Sequence, residues 1–158
     1  MAPARPVRDL HCDDEFRVAA GKIIWSRCHD MLSFWESAKR GKDADAIHDM
    51  RVASRRLRAA LEVFRDAFPA RRLKPLLDEV KALADALGAV RDLDVQLERL
   101  NSDLAGRPSE QQAALQALIA DLAVERGEAR RRLKSTLSAA ESSDFSRRFL
   151  SFVAQEAL

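Results

Sequence analysis

Residues 73–104 constrain this chain more than any other stretch. Apolar side chains at Leu73, Leu76, Leu77, Val80, Leu83, Ala84 and Leu87 recur at spacings of three and four. That is the period of a helix with one buried stripe, and it conflicts with the alternation of a strand. Only Gly88 interrupts the good helix formers, so the stretch predicts one long helix, with Pro75 in its first turn. A helix of that length can bury its stripe only against others like it. The rest of the chain supplies them, since five glycines and five prolines among 158 residues leave few places to turn. Residues 13–40 open with acids and close on Lys39, Arg40 and Gly41, as a helix does. A second helix, capped by Asp43 or Asp45, runs to Phe68, where Pro69 stops it. A fourth, capped by Ser109, spans residues 110–140, and a short last helix begins near Ser143. The expectation is an all-α antiparallel four-helix bundle with a short C-terminal helix, residues 13–158 forming one domain behind a tail of residues 1–12.

No run reaches the roughly 18 uncharged apolar residues that a membrane span needs, so no membrane association and a cytoplasmic location are expected. Cys12 and Cys28 follow no secretory signal and point to reduced thiols. Each adjoins a histidine, His11 and His29, but adjacent side chains splay apart on a helix and no CxxC spacing occurs, so neither a metal nor a cofactor is expected.

The net charge of +2 says little, but its distribution says more. Between Ala46 and Pro75 eight basic residues face three acidic ones, and arginine far outnumbers lysine along the chain. Arginine's planar fork grips phosphate or carboxylate oxygens in pairs. On a wheel with His48 at zero, Ala53, Leu57, Ala60, Leu61, Phe64 and Phe68 fall between about 120° and 220° and must face the core. Arg51, Arg55, Arg58 and Arg65 fall between about 260° and 340°, one ridge beside His48, with Glu62 among them and Arg56 across the core face. Such a ridge either grips successive phosphates of an extended polyanion or pairs with acids of a neighbouring helix. Further along, the apolar seam turns ionic: its period carries on to Arg91, Asp94 and Glu98, and Arg126 interrupts the rhythm of Leu115, Ile119, Leu122, Ala129, Leu133 and Leu137. A charge buried alone is costly, so Arg91, Asp94 and Arg126 must pair or line an opening at one level, with Asp94 placed to hold Arg91 or to meet Arg126.

The segments "IHDMRVASRRLRAALEVF" and "LGAVRDLDV" together resemble the CHAD family, the conserved histidine α-helical domain, and the downstream "RGEARRRLKSTLSAAESSDFSRRFLSFV" is similar to its basic fourth helix. The resemblance covers residues 16–153. It implies a non-catalytic module that binds inorganic polyphosphate and associates with polyphosphate granules. Position by position it implies binding by His48, Arg51, Arg55, Arg56 and Arg58, then Arg126, Arg130, Arg131 and Lys134, with Arg65 added by the ridge and Arg91 and Asp94 as an ion network. The family's domain typically has two bundles about an approximate twofold, whereas one histidine motif and one bundle are found here; either two chains pair or the chain is a piece of a longer one, and a homodimer is the expectation. A nucleic-acid or other polyanion binder is the alternative, disfavoured by a basic side without aromatic residues. A metal-dependent phosphohydrolase using His48 with Asp49 or Asp94 lacks convergent carboxylates. A protein-interaction scaffold remains open.

Overall fold

The computed structural model describes residues 5–41 and 44–157, and all regular structure among them is helical. The helices are α1 (Phe16–Leu32), α2 (Trp35–Arg40), α3 (Ala44–Val63), α4 (Ala70–Leu104), α5 (Ser109–Ser142) and α6 (Phe145–Ala157), with a 3-10 turn at Arg65–Ala67. They form an antiparallel bundle of four rods, two of which are jointed. The first rod is α1 continued by α2, the second α3, the third α4, and the fourth α5 continued by α6. α1 lies between α3 and α6, and α4 between α3 and α5. The start of α1 meets the ends of its neighbours: Phe16 lies against Phe64 at 5.7 Å, and Gly21 leaves no room for a Cβ against Ala157.

One joint departs from the helices predicted from sequence, and the other falls where the fourth of them was expected to end. Residues 13–40 do not form one helix: Ser33 donates its hydroxyl to the Asp30 carbonyl at 2.7 Å, and Phe34 turns to φ −96°, ψ −3°. A serine that bonds its own backbone competes with helix continuation. The fourth rod breaks after Ser143, where Asp144 adopts φ 55°. Both joints lie at one level: Trp35 stacks on Phe145 at 6.2 Å, its indole N–H donates to Glu141 at 2.8 Å, and Lys39 pairs with the same carboxylate.

Several expected boundaries move. Asp43 lies outside the described residues, and Asp45 sits within the first turn of α3. α3 ends at Val63 and tightens into the 3-10 turn, because Phe68 must be extended ahead of Pro69. α4 begins at Ala70, which puts Pro75 in its second turn. Ser109 is the first residue of α5 and makes no capping bond, while Ser143 ends α5.

The predicted seam is buried at Leu73, Leu76, Val80, Leu83, Ala84 and Leu87, against Ile24, Met31, Leu57, Leu61, Leu137 and Phe149. It closes at Val90 on α4 and Ala129 on α5. Beyond that level α4 and α5 continue without a third helix, as a two-helix arm. Leu97, Leu100, Leu115, Ile119 and Leu122 are only half-buried there, and Val95, Leu118 and Val124 are exposed. No helix among the described residues is long and apolar enough to cross a membrane. Both cysteines are free, Cys12 exposed and Cys28 buried, and burial pushes the Cys28 thiol up to about 12.

Candidate functional site

Where the arm leaves the bundle all four rods meet: the end of α2 contributes backbone carbonyls, and the start of α3 and the middles of α4 and α5 contribute charged or titratable side chains. The sequence predicted that Arg91, Asp94 and Arg126 would meet at one level, and two of them do. Arg126 donates its Nε to Asp94 across the α4–α5 interface, and Asp94 is nearly buried. Arg91, three residues from Asp94, is half-buried beside this pair and makes no ion pair among the described residues, so the expectation that Asp94 holds it is corrected. The facing helix wins because the Asp94 carboxylate points into the seam. Glu98, the next seam position, is exposed.

Arg130, one turn beyond Arg126, turns the other way. Its Nη2 donates to the carbonyls of Ala38 at 2.8 Å and Lys39 at 3.3 Å, the unpaired acceptors at the end of α2. A cation there also suits the negative end of the helix dipole. Burial first and the charge of Arg126 second lower the Arg130 pKa from its ordinary value, with Asp94 opposing. The chain leaves α2 through Gly41 at φ 68°, and a Cβ on Gly41 would overlap the Arg130 guanidinium. Arg130 is therefore part of the frame as well as of the site.

His48 lies in the second turn of α3, at the same level. Among the described residues three buried side-chain atoms find no hydrogen-bond partner, and all three belong to this region: His48 Nδ1, Asp94 Oδ2 and Arg130 Nη1. Buried polar atoms are nearly always satisfied, so three orphans at one end of a bundle mark a place prepared for something polar.

Along α3 the ridge forms in part. Arg51 lies across α4 beside Gly88 and reaches Asp92 at 3.4 Å. Arg58 pairs with Glu62 at 2.9 Å. The Glu62 hydrogen bond and charge, with a smaller contribution from Asp85, raise the Arg58 pKa above its ordinary value. Arg55, between them, is exposed and makes no ion pair among the described residues. Arg55 and Arg56 flank a shallow cavity of about 370 Å³ with Val52 and Ala59. Arg65 leaves the ridge, because the 3-10 turn breaks the helical register that placed it there; it is exposed and lies 3.5 Å from Asp66. On α5, Arg131 and Lys134 are exposed, Arg131 lying 4.0 Å from Glu128. Pairing with an acid of a neighbouring helix thus holds for Arg51 alone, Arg58 meeting Glu62 of its own helix, and exposed pairs of this kind contribute little, roughly 0–1 kcal/mol.

Sequence reasoning missed the clamp of Arg130 on α2 and the docking of residues 5–15 on α1. The first depended on a break inside the predicted first helix, and the second on contacts with no periodicity to announce them.

The fold and this open end define a class: an all-helical bundle module whose polar groups gather where one pair of helices outruns the others. The chain belongs to the CHAD domain family, which matches residues 22–158. It is also similar to two uncharacterized proteins of Mycobacterium tuberculosis, Rv2226 of strain H37Rv at 35% identity and MT2285 of strain CDC 1551 at 33%, each over 75 residues. These matches take in 48% of this chain and only 15% of each relative's length.

Proposed function

We propose that this chain binds inorganic polyphosphate without catalysis, at the open end of the bundle and along the adjoining face of α3. The observation that carries the reading is the pair of unsatisfied nitrogens, His48 Nδ1 and Arg130 Nη1, beside half-buried Arg91 and Arg126. A phosphate oxygen accepts from a guanidinium N–H and from an imidazole N–H. Arg51, Arg55 and Arg58 extend the run of donors along α3, so an extended polyanion gains contacts that a single phosphate does not. Arg56, Arg131 and Lys134 add positive charge at its edges. Membership of the CHAD family, whose domains are associated with polyphosphate binding in general, supports the same reading. Localisation to polyphosphate granules follows from it.

Titration with polyphosphate of defined length at several salt concentrations tests this. Binding should tighten with chain length and weaken with salt. Arg55→Glu, at an exposed position, and Arg58→Glu, at a half-buried one, should abolish most of it while the helical signal survives. Undiminished binding by both would refute the assigned surface. Duplex DNA at equal phosphate concentration is the control, and tighter binding of DNA would favour the nucleic-acid alternative.

We further propose that two copies pair through the α4–α5 arm. Its seam leucines are covered on one side only, and a second arm related by a twofold axis would bury them in a new four-helix arrangement.

A further inference from the structure

Residues 5–15 form a strap across α1, held at both ends. At one end Arg27 Nη1 donates to the Arg5 carbonyl at 3.0 Å, and Arg5 Nε lies 3.5 Å from the buried Asp30 carboxylate, which Arg27 also holds at 2.9 Å. At the other, Asp14 takes Lys22 on both oxygens, at 2.6 and 2.7 Å, and the His11 backbone N–H at 3.0 Å. Between the anchors the strap and the helix border a half-open cavity of about 730 Å³, within the size range of small-molecule sites. Its helix wall carries Trp25, Ser26 and His29, and its strap wall Pro6, Arg8 and Asp9. The anchors use up Arg5, Lys22, Asp14 and Asp30. What remains is one indole, tilted against the His29 imidazole at 5.2 Å, one guanidinium and one carboxylate. Arg8 makes no ion pair among the described residues, and Asp9 sits at φ 56°, a left-handed conformation that turns the strap at this point.

We propose that this cavity binds a guanine nucleotide. The part of the Trp25 indole that lines the cavity rather than packing on the core gives a purine an aromatic surface. The Asp9 carboxylate, an acceptor only, matches the adjacent N1–H and N2–H₂ donors of guanine; adenine would set its N1 lone pair against it. Arg8, with His29 across the mouth, takes the phosphate. The site lies on a different rod from the polyphosphate surface, and four of its lining residues precede the residues that match the CHAD family.

Trp25 reports on it, because the other tryptophan, Trp35, is buried and bonded to Glu141. Titration of the full chain with GMP should quench tryptophan fluorescence saturably, with AMP weaker by about tenfold or more. Inorganic triphosphate should give no quenching. Asp9→Asn tolerates the same backbone conformation and should erase the preference for GMP over AMP, and Arg8→Ala should reduce GMP to the affinity of guanosine. Arg55→Glu should leave the quenching intact, which separates this site from the polyphosphate surface. Absence of saturable quenching by GMP, or a preference for GMP that persists in Asp9→Asn, would overturn the assignment.

Discussion

Gly41 and Arg130 show how one residue of frame conditions a site. Gly41 meets two requirements at once: its φ of 68° lies in the left-handed region, and its missing side chain leaves the space that the Arg130 guanidinium occupies. An alanine pays the first cost anywhere, about 1–2 kcal/mol. Here it also drives Arg130 from the carbonyls of Ala38 and Lys39, and hydrogen bonds to a charged group contribute about 1.5–3 kcal/mol. Gly41→Ala should therefore destabilise by more than the backbone cost alone, read as a fall in the urea midpoint. In an Arg130→Met background the same substitution should cost only the backbone part. Equal costs in both backgrounds would show that the two residues are not coupled.

At the scale of elements, the two jointed rods depend on Glu141, which ties the end of α5 to α2. Its hydrogen bond from Lys39, then that from Trp35, lower its pKa from the ordinary 4.5, against burial. The folded state therefore favours the ionised form. The contribution is complete above the ordinary carboxylate value and is lost as pH falls through the lowered one. Glu141→Gln keeps an acceptor for Trp35 and removes the charge. Its melting temperature should fall below the parent's at pH 7, with the difference closing in acid; a difference independent of pH would refute the assignment. The same joints mark what was legible beforehand. Period and composition revealed four rods, the buried stripe of α4 and the meeting of Asp94 with Arg126, because those follow from local spacing. The break near Ser143 was legible too, but that at Ser33 did not show, since serine tolerates a helix and only the packing of Trp35 on Phe145 makes a bend worthwhile. Arg65 was misplaced for a related reason: the pull of Pro69 on the preceding turn outweighs a wheel that assumes constant pitch. The ridge was legible as charge, with Glu62 inside it, but the pairing of Arg51 with Asp92 needed the third dimension.

For the whole molecule, charge and apolar surface are separated along the long axis. Residues 95–125, the arm, hold Glu98, Asp103, Glu110, Asp121 and Glu125 against Arg99 and Arg107, so the positive surplus of the chain lies entirely in the bundle. A polyanion held at the open end is repelled by the arm, which leaves the arm's apolar seam to another partner. Pairing of two arms must overcome repulsion between like charges, whereas polyphosphate binding draws on attraction between opposite ones. Salt screens both, so the two equilibria should respond in opposite senses: dimerisation strengthens with salt and polyphosphate binding weakens. Leu118 and Val124 are 46% and 64% exposed, so Leu118→Glu and Val124→Glu should alter the stability of one copy by no more than about 0.5 kcal/mol. Light scattering of the parent chain should give a dimer mass that persists to lower concentration as salt rises, and the double variant should give a monomer mass with unchanged helicity. A monomer mass for the parent at every salt concentration would sink the pairing while leaving the polyphosphate surface, which one copy carries by itself, to stand or fall on its own titration.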